Sequence, residues 1–253
     1  DKYSYVNKDF SVPAIVSNIV RNIALHIGTP SKKVNRMTEQ ALYRLLDNEV
    51  NNPFTTWGSP EFHISQLSYH EDSAGNPLHF VFIFLSLVIV VFLSYLRKVP
   101  DLAKYSLLLT SAFLLLCFYL RWQPWHSRLH LPLFVLWSPV IGIACSRISK
   151  SQRLLFFIGL LFIIAAFPWL LKNESRPLIK NKNILNTTRL DQYFVNFPYV
   201  RELYIGATNF IRERNISDIG LILAGNDYEY PIWILLQEKY DQTIQIRHVN
   251  VSN

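Results

Sequence analysis

Residues 80–96 read FVFIFLSLVIVVFLSYL, seventeen positions without a charged side chain. Three runs of the same kind follow, at Tyr105–Leu120, Leu129–Ser146 and Leu154–Leu171. Runs of 16–18 residues make helices about 24–27 Å long, against a hydrocarbon core of about 30 Å. Snorkelling flanks or a locally thinned bilayer would make up the difference. Four such runs within 92 residues argue against the buried helices of a soluble domain. The expectation is an α-helical polytopic membrane protein with about four transmembrane helices.

Working outward, the charges follow the same division. Only 17% of the 253 residues are charged, below the quarter usual in soluble domains. Residues 1–78 carry seven Lys/Arg and eight Asp/Glu, residues 79–171 eight and one, and residues 172–253 ten and nine. The surplus of +7 therefore lies in the apolar third. That pattern points to topology signals and anionic headgroups. A nucleic-acid partner is not expected, since it would call for a basic polar face. Cys117 and Cys145 lie inside apolar runs, so neither a disulfide nor a cysteine metal cluster is expected.

The connections give an orientation. Arg97, Lys98 and Lys104 follow the first run with one acid, Asp101, and Arg147, Lys150 and Arg153 precede the fourth with none. Basic loops stay in the cytoplasm. Residues 1–78, the connection Arg121–Arg128 and residues 172–253 then face the other side. The expected domains are an extracytoplasmic loop with amphipathic helices (1–78), the transmembrane region (79–171) and a small extracytoplasmic α/β domain (172–253). The chain opens on Asp1, without a signal-peptide pattern, and reads as the C-terminal part of a larger membrane protein.

In the first segment, Val12, Ile15, Val16, Ile19, Val20, Ile23 and Ile27 form one helical stripe, with Gly28 as its C-cap. That face could lie on the membrane or pack on the protein. A second helix is expected over Thr38–Val50, ended by Asn51-Asn52-Pro53. In the tail, a helix over Phe197–Asn215, a strand Ile219–Leu223, a helix Ile232–Tyr240 opened by Pro231, and a strand Thr243–Val251 suggest a right-handed β-α-β unit.

Three clusters could carry chemistry. In the connection RWQPWHSRLH, Arg121, His126 and Arg128 are basic groups on the side where such residues are scarce. The guanidinium fork suits a phosphate and imidazole can donate or exchange a proton. Trp122 and Trp125 read better as interfacial anchors. Before the first run, HEDSAGNPLH (70–79) crowds carboxylates, imidazoles and an amide together. Asp72 and His79 are its catalytic candidates and Asn76 its substrate-binding one. A solvated turn with a helix cap explains the same residues, and for Glu71 that reading is the better one. The spacing matches no metal-ligand pattern. The loop Gly225–Tyr230 follows a strand but lacks the glycines of a phosphate cradle, and helix capping accounts for it better. The sequons at Asn173, Asn186 and Asn215 carry meaning only where the cell glycosylates them.

The stretch Arg121–Phe134, RWQPWHSRLHLPLF, resembles a late external loop of GT-C membrane glycosyltransferases, closest to the protein O-mannosyltransferases and the aminoarabinose transferases. The shared pattern is Arg121, a short gap, then Arg128-Leu129-His130-Leu131-Pro132 entering the next helix. The resemblance covers residues 60–171. It implies a hexosyltransferase-like enzyme that takes a polyprenyl-phosphate-linked sugar as donor and a glycan, lipid or protein as acceptor. It also implies inversion, often with a divalent metal, and basic residues that grip the lipid phosphate. The family's catalytic carboxylate lies in an earlier external loop, so this chain alone is expected to be inactive. His130 departs from the apolar or aromatic residue usual after the second Arg. The alternative is a non-enzymatic scaffold or a transporter component. A transporter should place polar groups at mid-span, where these runs hold only Ser, Thr and Cys.

Overall fold

The computed structural model describes residues 4–96, 98–223, 227–237 and 244–249. The chain divides into two compact units, Asp1–Glu174 and Ser175–Asn253.

In the first unit, α1 covers Val12–Ala24 and α2 covers Lys32–Leu46, which runs on into a 3-10 turn, Asp47–Asn51. The four apolar runs become α3 (Pro77–Tyr95), α4 (Pro100–Tyr119), α5 (Ser127–Ile148) and α6 (Gln152–Lys172). Each is longer than its uncharged run, because polar residues and prolines build the ends. Pro77 and Pro100 open α3 and α4 where a missing N–H costs nothing. Ser151 caps α6 by accepting the Leu154 N–H. At 19–22 residues the helices reach about 28–33 Å. All four are long and apolar enough to cross a membrane. α3, α4 and α5 share a core of Val90, Leu109, Trp137 and Val140. No residue of α6 is buried.

α1 departs from the expected arrangement. It ends at Ala24 with Leu25 as its C-cap, three residues before Gly28. Gly28 serves a close approach instead: a Cβ there would lie 2.3 Å from the Ser65 carbonyl oxygen. The buried face of α1 is its polar one, Ser17, Asn18, Arg21 and Asn22 with Ala14, while Val12 and Val16 of the apolar stripe are exposed. α2 also starts earlier than expected, because Ser31 caps it by accepting the Val34 N–H.

The second unit holds a five-residue helix α7 (Arg189–Tyr193), a 3-10 turn Pro198–Val200, α8 (Arg201–Glu213), β1 (Asp218–Leu221), α9 (Glu229–Gln237) and β2 (Gln245–His248). β1 and β2 pair in parallel, Asp218 with Gln245 through Leu221 with His248. α9 connects them, so the expected β-α-β order is present. Pro231 sits in the first turn of α9. The expected ends at Tyr240, Thr243 and Val251, the loop residues Gly225 and Asn226, and the topology residue Arg97 fall outside the described residues.

Candidate functional site

The connection between α4 and α5 is covered, not an exposed hairpin: Arg121, Trp122, Gln123 and His126 are buried. The N-terminal segment clasps it through the backbone. Asn7 and Trp57 donate to the carbonyls of Tyr119 and Trp122, and the carbonyls of Tyr5 and Thr55 accept from the N–H groups of Arg121 and Trp122. The last carbonyls of α4 lack helical donors, and side-chain amides supply them. Asn18 Nδ2 donates to Cys117 O (2.6 Å) and Leu120 O (2.7 Å), and Asn7 Nδ2 to Phe118 O (2.6 Å). This is the physical reason α1 turns its polar face inward. Trp122, expected as an interfacial anchor, is 1% exposed and packs edge-on against Phe62.

Arg21 is buried at the centre of this clasp. Its guanidinium donates to the Thr56 and Thr55 hydroxyls (2.7 and 2.8 Å) and the Val50 carbonyl (3.1 Å), 5.4 Å from the Trp122 ring centroid. Burial lowers its pKa to about 10, so it stays charged at neutral pH.

Three buried histidines follow, and their neighbours fix which nitrogen carries the proton. Asn18 Nδ2 is committed to backbone carbonyls, so its Oδ1 accepts from Asn22 Nδ2 (3.0 Å). Asn22 therefore presents Oδ1 to His126 Nδ1 (2.9 Å), which must carry the proton. His126 Nε2 is left as a buried acceptor without a protein partner. In the second chain, the Asn76 N–H donates to His26 Nδ1 (3.3 Å), so His26 Nε2 carries the proton and donates to His130 Nδ1 (2.8 Å). His130 Nε2–H is the buried donor left over. Burial, reinforced by neighbouring His130, lowers the pKa of both His26 and His126 to about 3. His26 and His130 also form part of the wall of a cavity of about 250 Å³, otherwise lined by apolar residues of α1, α3, α4 and α5 apart from Thr110.

Arg128 occupies the first turn of α5 and is half-exposed. Its Nη1 lies 2.7 Å from Asp72 Oδ1. Ser127 Oγ donates to the Asp72 carbonyl at 3.1 Å. The structure thus brings Asp72 and Arg128, from two separate sequence clusters, into one ion pair. Arg121 and His126 lie buried beneath the clasp, not at the surface. Asn76 precedes α3 without a side-chain cap bond, and its contribution is the N–H given to His26. His79 lies in the first turn of α3, its ring against Phe162 (4.6 Å) and Phe134 (6.1 Å). Among the described residues no three His, Cys, Asp or Glu side chains converge as metal ligands.

In the second unit, Glu229 opens α9, accepts from Trp233 Nε1 (2.8 Å) and pairs with His248 Nε2 (2.9 Å). Both are side-chain bonds, one along α9 and one from α9 to β2.

Sequence reasoning missed Asn18, Arg21, Asn22 and His26. A signal was present: Asn18, Arg21 and Asn22 recur at i, i+3 and i+4, a polar stripe beside the apolar one. Compared with known proteins, the chain matches no family model, no curated protein and no solved structure.

Proposed function

We propose that this chain is part of a membrane glycosyltransferase that uses a polyprenyl-phosphate-linked sugar, with Arg128 as the phosphate contact. The observation that carries the reading is the half-exposed Arg128 guanidinium, already seated on an oxyanion, at the first turn of a helix long enough to cross a bilayer. A helix N-terminus and an arginine fork both favour a phosphate. In a bilayer, the exposed apolar side chains of α3–α6, such as Phe84, Phe92, Phe156 and Ile164, would face lipid. The clasped end of the bundle would then lie at the headgroup level, where a lipid phosphate is presented.

The chemistry would run as follows. A carboxylate takes the proton of the acceptor hydroxyl, and Asp72 is this chain's candidate for it, in place of the upstream carboxylate that the resemblance implies. The acceptor oxygen bonds to the anomeric carbon, the bond from that carbon to the phosphate oxygen breaks, and the polyprenyl phosphate leaves with the electron pair against Arg128. The buried Arg121 and His126 support the surface from which Arg128 projects. The resemblance alone brings in a divalent metal.

Two experiments test this reading. The chain in zwitterionic nanodiscs should bind geranylgeranyl phosphate saturably and at least tenfold more tightly than geranylgeraniol, the contrast expected for a charge-assisted contact. Equal binding of phosphate and alcohol would overturn it. For sidedness, the positive loops support a reading with Lys98 and Lys150 in the cytoplasm. Cysteine at Lys33 should then react with an impermeant thiol reagent on intact cells, and cysteine at either loop position should not. The reverse pattern would invert the orientation.

A further inference from the structure

We infer that Asp72 is a placeholder for the donor phosphate: its carboxylate pairs with Arg128 and is displaced when a phosphate binds. The inference rests on the function proposed above and adds how that site is kept and exchanged.

Two features of the 70–76 loop separate a fixed backbone from a releasable side chain. The backbone meets the rest of the unit at three points and is braced once within the loop. The Asp72 carbonyl accepts from Ser127 Oγ. The Asp72 N–H donates to His70 Nδ1 at 3.2 Å. Gly75 lies so close to α1 that a Cβ would come within 2.8 Å of the Leu25 carbonyl oxygen. The Asn76 N–H donates to buried His26. The side chain, in contrast, has only partly exposed ionic contacts, Oδ1 with Arg128 Nη1 at 2.7 Å and Oδ2 with His70 Nδ1 at 4.0 Å, with side-chain exposures of 42% for Asp72 and 52% for Arg128. Exposed pairs are weak and exchange readily. A phosphate offers more oxygens to the same fork than a single carboxylate contact does. Exchange therefore needs only rotation of the Asp72 side chain, with no movement of the loop.

The arrangement has two consequences for the proposed reaction. Arg128 is never left as a bare cation at the membrane surface, which lowers its pull on ordinary anionic headgroups. The carboxylate freed by the phosphate stays beside it, because its backbone is fixed, and becomes an unpaired base only when donor is present.

The test is a cycle of geranylgeranyl phosphate affinities for the full chain in zwitterionic nanodiscs. Asp72→Asn should tighten binding about two- to fivefold, the scale of an exposed ion pair that no longer competes. Asp72→Glu, which keeps a competitor, should stay within about twofold of the parent on the same scale. The Asp72→Asn gain should vanish in an Arg128→Ala background. Glu71→Gln removes a neighbouring charge that has no bond to Arg128, and should leave affinity unchanged. Inorganic phosphate should compete weakly, and more strongly against Asp72→Asn. Nanodiscs of phosphatidylglycerol should reduce apparent affinity more for Asp72→Asn than for the parent. Unchanged or weaker binding by Asp72→Asn would overturn the inference. So would a gain that survives Arg128→Ala or is matched by Glu71→Gln, since both report only the general field. Loss of saturable phosphate binding in the parent itself would instead overturn the function on which the inference rests.

Discussion

Lowering the pH from 7.5 to 5 is expected to destabilise the first unit by several kcal/mol. His26 and His126 are buried, and their folded pKa values are near 3 against about 6.5 when unfolded. The folded state thus refuses protons that the unfolded state accepts. Stability is full above pH 6.5, falls as pH drops below it, and goes on falling until about pH 3. At pH 5 the difference is about 1.5 pH units for each group, or about 2 kcal/mol each. Thermal unfolding of the chain in detergent, followed by tryptophan fluorescence between pH 5 and 7.5, measures this directly. The tautomers derived above add a specific expectation. His126→Gln can still donate to Asn22 and should remove about half of the pH dependence while leaving stability at pH 7.5 less affected. A flat profile over this range would mean that the histidines are hydrated, which would contradict the buried clasp.

The second large effect follows from the proposed transferase and concerns Arg128. Arg128→Ala should reduce kcat/KM for the donor lipid about ten- to a hundredfold, because a charge-assisted contact contributes about 1.5–3 kcal/mol. The same change should cost little stability, about 0–1 kcal/mol, since the pair with Asp72 is half-exposed. Arg128→Lys should recover only part of the loss, since a point charge replaces a bidentate fork. Full rescue by lysine would reduce Arg128 to a headgroup anchor. Arg21→Ala is the contrasting case. It strands two threonine hydroxyls and a carbonyl in the interior, so protein should be lost before activity can be measured.

The four apolar helices were legible because length and lack of charge suffice for them, and only their polar ends moved. The order β1–α9–β2 was also legible, from alternation and from Pro231. The clasp was not. The stripe from Val12 to Ile27 left open a face on the membrane or one packed on the protein, and gave no sign that the buried face is Asn18, Arg21 and Asn22. Asn18 bonds to backbone carbonyls about a hundred residues away, Arg21 to residues 50–56 and Asn22 to His126, and a local pattern carries no information about such bonds. The connection Arg121–Arg128 read as an exposed loop for the same reason, since the strand-like segments that cover it have no periodicity. Asp72 and Arg128 were each singled out for their chemistry. Their pairing across 56 positions required the fold.

The most direct test of the central claim is where a photoreactive prenyl phosphate attaches. With the diazirine placed on the isoprenoid unit next to the phosphate, irradiation of the chain in zwitterionic nanodiscs should give saturable labelling within residues 70–79 and 124–134. Arg128→Ala should abolish that labelling, and the matching prenyl alcohol should not reproduce it. Labelling spread along α6 that is indifferent to Arg128, or equal capture of the alcohol, would contradict a phosphate site at Arg128.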